Sequence, residues 1–360
     1  MKNFNPMGMI PEFNAWGNHP NDMEAFVMEK VKALYTKIGL GRHEVAEQLL
    51  LTALDALSVK SDTFTGHYIP CNNTKPVSNW LLNTFVENEK CQLFGVKNYK
   101  NALNLMNEGH NVLAIMNHAT ALDCLISESL TSLLRPKSVT HSYIASQVFE
   151  YARIAGMITS GFDKFPIFQP KHIQRMDELC PNKIVIEEMR RQNKITLRAL
   201  CQNASDGGRI IFLFPEKNRS PIMGVPEPIV ARIPSLIQKA SGKELYILPT
   251  YVSGGETIFP NVPGTNELDN FLQNLRVGHG NMYCGEPIAF SKVNSTLSLI
   301  DKTELVEGTL GKVSTYDTNI DLTALSILLL GSIATLSPFE ETKGIYNNEY
   351  VKRAVTALRN

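Results

Sequence analysis

The chain has 360 residues, 43% of them apolar and 19% charged, enough for one large or two moderate domains with a buried core. Intrinsic disorder is excluded as the main state. Lys plus Arg and Asp plus Glu both number 35, so the formal net charge is zero; a basic field able to hold nucleic acid is excluded and any anion site must be local.

The first residues lack the apolar core of a secretory signal and the Arg/Ser bias of a transit peptide, and acids enter early at Glu12 and Asp22. Residues 21–57 carry two helical patterns. Met23, Phe26, Val27, Val31, Leu34 and Ile38 fall at three- and four-residue steps, and Val45, Leu49, Leu50, Ala53, Leu54 and Leu57 form a second stripe. Together they predict an antiparallel helical hairpin. Residues 59–76 are rich in Ser, Thr, Asn and Pro and read as a linker. The expected division is therefore an N-terminal helical bundle domain over 1–70 and a larger α/β domain over 71–360.

Beyond the linker, short apolar runs at 112–116, 139–145, 210–214 and 246–252 predict buried strands. Helical segments at 121–134, 183–202 and 229–240 separate them. Strand alternating with helix predicts a mixed, largely parallel central sheet with ligand sites at strand ends. Residues 322–336, about fifteen in number, are mostly apolar but interrupted by Thr323, Ser326, Gly331, Ser332 and Thr335. They fall short of the roughly 20 that a membrane-spanning helix needs and are expected to form a buried helix. Cys71, Cys91, Cys124, Cys180, Cys201 and Cys284 are far apart, without a C-x-x-C pair or zinc-ligand spacing. Reduced thiols in an intracellular protein are expected, with no metal.

The segment most informative about chemistry is Val112-Leu-Ala-Ile-Met-Asn-His118-Ala-Thr-Ala-Leu-Asp123. On a continuous helix a five-residue step turns the side chain by about 140° and would point His118 and Asp123 apart. The two can meet only if His118 sits in the strand-to-helix turn. The carboxylate would then fix the imidazole tautomer and leave the other ring nitrogen as a base. On spacing alone, a loop histidine beside a helix-start acid that complements the dipole is the commoner case, since H-x-x-x-x-D arises often by chance. No G-x-S-x-G or comparable nucleophile accompanies the pair, so the base would activate a hydroxyl of the substrate.

A second segment, Phe214-Pro-Glu-Lys-Asn-Arg-Ser220, also follows an apolar run and places Lys217 and Arg219 in a turn set by prolines. Such a turn can clamp a phosphate or carboxylate, or it can simply be solvated. A third, Phe165-Pro-Ile-Phe-Gln-Pro-Lys171-His172, sets a Lys beside a His. The four cations Arg190, Arg191, Lys194 and Arg198 share one helical segment, as an acidic partner's docking site or as a solvated face.

In this order the segments resemble the glycerolipid acyltransferase superfamily. Asn117-His118-Ala-Thr-Ala-Leu-Asp123 is similar to its N-H-x-x-x-x-D block, and Phe214-Pro-Glu-Lys-Asn-Arg-Ser220 to its F-P-E-G-T-R-S block, with Lys217-Asn218 in place of Gly-Thr. Leu248-Pro249-Thr-Tyr-Val252 resembles the late strand that carries a proline. Lys171-His172, Gly207-Gly208 and the helical N-terminal region resemble the soluble glycerol-3-phosphate acyltransferases of plastids and chlamydia-like bacteria. Those proteins place two arginines around their third block, where this chain has only Arg219, with Lys217 nearby.

The resemblance implies a fatty acyl transfer from acyl carrier protein or acyl coenzyme A to the sn-1 hydroxyl of glycerol 3-phosphate, the first step of phospholipid synthesis. His118 would be the base and Asp123 its orienting partner. Lys171, His172, Arg219 and Lys217 would bind phosphate, and Glu216, Ser220 and Thr120 would touch substrate. The helix start after His118 would supply N–H groups for the oxyanion, and residues 144–157 with the N-terminal hairpin would wall the acyl groove. No metal or organic cofactor and no nucleic acid is implied. The expected setting is soluble, in bacterial cytoplasm or plastid stroma, with the product passed to a membrane. Two alternatives are an acyltransferase acting on 1-acyl-glycerol 3-phosphate and a non-catalytic protein that binds lipid or acyl carrier.

Overall fold

A computed structural model of the chain describes residues 85–120, 122–132, 134–136, 141–146, 163–179, 183–216, 219–260, 274, 276–311 and 319–360. The predicted N-terminal hairpin, the linker, the 70/71 boundary, residues 147–157 of the expected groove, Cys71, Cys180 and Lys217 lie outside them. The chain divides into two units, one of residues 89–142, 200–256 and 279–360, the other of 1–88, 143–199 and 257–278. The region after residue 71 thus contributes to both units.

The first unit opens with β1 (Gln92–Phe94), α1 (Val96–Asn107), β2 (Asn111–Met116) and α2 (Asp123–Ser132). β3 (His141–Ser146) begins in this unit and ends in the other, which also holds β4 (Asp163–Ile167), α3 (Pro170–Leu179) and most of α4 (Lys183–Ser205). The first unit resumes with β5 (Ile210–Leu213), a 3-10 turn at Pro228–Ala231, α5 (Arg232–Ser241), β6 (Leu245–Ser253) and the start of α6 (Gly255–Ile258). It closes with β7 (Asn281–Cys284), β8 (Ile288–Ala289), α7 (Phe290–Leu299), α8 (Lys302–Leu310), α9 (Ile320–Ala334), a 3-10 segment Glu340–Tyr346 and α10 (Glu349–Arg359).

Its sheet is mixed and mostly parallel, in the order β1-β7-β6-β2-β5, with β8 also on β6. β2 lies parallel to β5, Val112 opposite Ile210, and parallel to β6, Ala114 opposite Leu248. β1 is parallel to β7, whereas β7 and β8 run antiparallel to β6. Every residue of β2 and β5 is buried, which explains why both read as unbroken apolar runs: a central parallel strand is covered on both faces. The strands that the sequence pattern did not predict are short, edge-placed or broken in pattern. β1 has three residues, β8 two, and β4 contains Pro166 beside Asp163 and Lys164.

α9 is the buried helix expected at 322–336. All residues from Thr323 to Ala334 are buried, as an all-round apolar helix requires. The Asn319 side chain caps it by accepting the Leu322 N–H at 3.2 Å. Gly331 lets it approach α10, since a Cβ there would stand 2.5 Å from a Val351 methyl. Among the described residues no helix is long and apolar enough to cross a membrane. None of Cys91, Cys124, Cys201 and Cys284 is in a disulfide.

Candidate active site

β2 delivers the chain to the site, and Asn117 sets the exit angle. Its amide extends the β2–β6 pairing by one side chain, donating to Val252 O at 2.9 Å and accepting the Val252 N–H at 2.7 Å. His118 follows in the turn before α2, as the meeting with Asp123 demanded. Its Nδ1 lies 3.1 Å from Asp123 Oδ2. The Asp123 side chain is fully buried and His118 is 18% exposed.

A helix-capping arrangement aims the carboxylate. Thr120 is the cap: its Oγ1 accepts the Leu122 N–H at 3.1 Å, and its own N–H returns to Asp123 Oδ2 at 2.9 Å. The arrangement resembles a capping box, except that the Thr120 hydroxyl takes the N–H of Leu122 rather than that of Asp123, whose carboxylate returns to Thr120. Asp123 also accepts the Ala119 N–H at 2.8 Å and, on Oδ1, the Thr120 hydroxyl at 3.2 Å. One carboxylate thus both closes the start of the helix and holds the imidazole. The expectation that these N–H groups would hold an oxyanion does not stand for Ala119, Thr120 and Leu122, whose donors are engaged within the turn.

The loop after β5 fixes the backbone of the same histidine. The His118 N–H donates to Glu216 Oε2 at 2.7 Å, and the His118 carbonyl accepts the Ser220 N–H at 2.8 Å. Phe214 stacks on the imidazole with centroids 4.2 Å apart. The loop closes on itself through an antiparallel bridge between Glu216 and Pro226 and the Glu227 N–H to Pro215 O, 2.9 Å. Glu216 is 5% exposed, and its second oxygen accepts the Gly224 N–H at 2.8 Å. Burial pushes this carboxyl up to about 8, while the two N–H donors pull it down and the charge of Asp123 pushes it further up. Both Glu216 oxygens thus serve backbone N–H groups of two loops.

Arg219 lies in the same loop. Burial pushes its guanidinium down to about 10 and the charge of Asp123 works in the opposite direction, so it remains a cation at neutral pH. The Ser220 hydroxyl accepts the Ile222 N–H at 3.2 Å. Lys171 and His172 stand in the first turn of α3, in the other unit, with Pro170 at the first helical position. Burial, reinforced by the neighbouring Lys171, pushes His172 down to about 3, so it is a neutral imidazole at pH 7. Arg190, Arg191, Lys194 and Arg198 are all exposed on α4, where Arg191 pairs with Glu188 at 2.6 Å.

The sequence shows Asn117 and Phe214 as members of the two motif blocks but not their roles, and it does not single out Gly224 and Gly255. Gly255 packs on the cap, since a Cβ there would lie 2.7 Å from Thr120 Oγ1 and 3.0 Å from Asp123 Oδ1. Gly224 and Gly255 act through backbone and space, which carry no side-chain signal. Among the described residues no group of three or more His, Cys, Asp or Glu is placed to hold a metal ion. Chemically, the arrangement offers an oriented imidazole, a buried carboxylate partner and a nearby guanidinium.

No protein-family model matches the chain, and no match to it is found among curated proteins.

Proposed function

We propose that the protein transfers a fatty acyl group from an acyl carrier thioester, on acyl carrier protein or coenzyme A, to the sn-1 hydroxyl of glycerol 3-phosphate. The observation that carries this reading is the His118–Asp123 pair in the strand-to-helix turn, bonded to the loop that bears Arg219. That juxtaposition is the one the resemblance to glycerolipid acyltransferases calls for.

In the proposed reaction the neutral imidazole donates a hydrogen bond from Nδ1–H to Asp123, keeping that proton, and Nε2 takes the proton of the acceptor hydroxyl. The freed oxygen attacks the thioester carbonyl carbon. The tetrahedral oxyanion collapses, the C–S bond breaks, and the thiolate leaves with the proton held by the imidazolium. Asp123 steadies the cation formed between these transfers. Arg219 binds the acceptor's phosphate and so orients its hydroxyl, which turns binding into proximity. A protein acyl intermediate is not needed. Cys124, the thiol next to Asp123, is a poor nucleophile because burial and then the charges of Asp123 and Glu128 push its pKa up.

The test incubates the protein with glycerol 3-phosphate and a long-chain acyl thioester, following free thiol and lipid product. Thiol release that requires glycerol 3-phosphate and yields 1-acyl-glycerol 3-phosphate is expected. Release only with 1-acyl-glycerol 3-phosphate would move the acceptor to the lipid alternative. Thioester binding without product would leave a carrier-binding protein.

A further inference from the structure

We infer that Tyr346, in the C-terminal 3-10 segment, is a positioning residue for His118 and acts through Gly224 and Glu216. The inference rests on the acyltransferase reading for its kinetic arm only.

Three hydrogen bonds run in series. The Tyr346 hydroxyl donates to Gly224 O at 2.7 Å, the Gly224 N–H donates to Glu216 Oε1 at 2.8 Å, and the His118 N–H donates to Glu216 Oε2 at 2.7 Å. Tyr346 is 2% exposed and Glu216 5% exposed. Both backbone polar groups of Gly224 are thereby held, one by the segment that carries Tyr346 and one by the carboxyl group that holds the histidine. Burial, and then the charge of Glu216, push the Tyr346 phenol well up, so it stays a donor across the working pH range.

The segment that carries Tyr346 is itself docked on this loop. The Met223 N–H donates to Thr342 O at 2.8 Å, and Thr342 Oγ1 accepts the Tyr251 hydroxyl at 3.0 Å, a residue of β6. Gly344 sits at φ 54°, where a Cβ would fall 2.1 Å from Met223 O, so only glycine permits the approach. The imidazole has its ring held by Asp123 and Phe214 and its backbone held by Glu216 and Ser220. Loosening the Gly224 peptide releases one of those backbone restraints. General-base catalysis is sensitive to such displacement, since a shift of about 1 Å can cost about a hundredfold in rate.

The experiment compares wild type with Tyr346→Phe, which keeps the ring and removes only the hydroxyl. Two readouts are taken: kcat and KM for both substrates, and amide hydrogen exchange at His118 with Val112, in the core strand β2, as reference. The expected result is a kcat lower by about tenfold, KM values within about twofold, and faster exchange at His118 with Val112 unchanged. Unchanged kcat in an active enzyme, or exchange that rises equally at both amides, overturns the inference, because a purely stabilising tyrosine gives one or the other. If the wild type transfers no acyl group, the functional reading has failed and exchange alone decides: selective acceleration at His118 upholds the coupling and its absence ends it. Should Tyr346→Phe fail to fold, Glu216→Gln is read in the same way, with a larger expected loss.

Discussion

His118 and His141 each turn Nδ1 toward a carboxylate on the same helix, α2, at 3.1 Å to Asp123 and 2.6 Å to Glu128. Their surroundings differ. The His141 side chain is fully buried, its Nε2 meets the Tyr99 hydroxyl at 2.8 Å, and Glu128 also pairs with Arg135. Burial pushes His141 down, with Glu128 opposing, so the ring is largely neutral at pH 7. Burial alone would raise Glu128, but His141 and Arg135 outweigh it and hold the carboxyl down to about 2. His118 is reachable, and its partner is aimed by a helix cap. A histidine–carboxylate pair is therefore not a site by itself; of the two, only His118 has the access that the proposed base needs.

The sharpest way to separate the pairs is to neutralise each carboxylate. Asp123→Asn should lower kcat by about a thousandfold, because the amide can no longer hold the imidazole tautomer or its cation. Glu128→Gln should leave the kcat of the folded enzyme within about threefold. It should cost about 3 kcal/mol in urea unfolding, since Arg135 loses its buried partner. Equal kinetic losses would erase the distinction.

The cap offers a subtler handle. Gly255→Ala places a methyl against Thr120 and Asp123 and should reduce kcat by about tenfold while unfolding shifts by only about 1 kcal/mol. A variant with normal kcat would show that Asp123 tolerates displacement.

The smallest effect is on the pH dependence of stability. His141 titrates lower in the folded chain than its unfolded value near 6.5, so the folded state binds fewer protons and stability falls as pH drops below about 6.5. Glu128 is also depressed. Its contribution is complete above its unfolded value of about 4.3 and is lost as pH falls toward about 2. Glu128→Gln should flatten the limb below about pH 4.3, measured as unfolding midpoints between about pH 4.3 and 2. A parallel limb would mean that other groups dominate it.

How much of this was legible in the sequence depends on what carried each feature. The runs at 112–116, 210–214 and 246–252 announced β2, β5 and β6 because central parallel strands are apolar throughout. The meeting of His118 with Asp123 followed from helix geometry, since only a turn between the two brings them together. The Thr-x-x-Asp spacing at the start of α2 is legible in the sequence. By contrast, the sequence cannot reveal that the Glu216 oxygens accept the N–H groups of His118 and Gly224. Tyr346, more than a hundred positions from Gly224, and the buried His141–Glu128 pair have no local signature at all. The order of β7 between β1 and β6 was equally invisible, because long-range pairing leaves no periodic trace in four residues.

The most direct test of the central claim is His118→Ala, assayed with glycerol 3-phosphate and a long-chain acyl thioester beside wild type of equal thermal stability. Acyl transfer is expected to fall by at least about a thousandfold while the unfolding midpoint stays near that of wild type. Turnover close to wild type would contradict it.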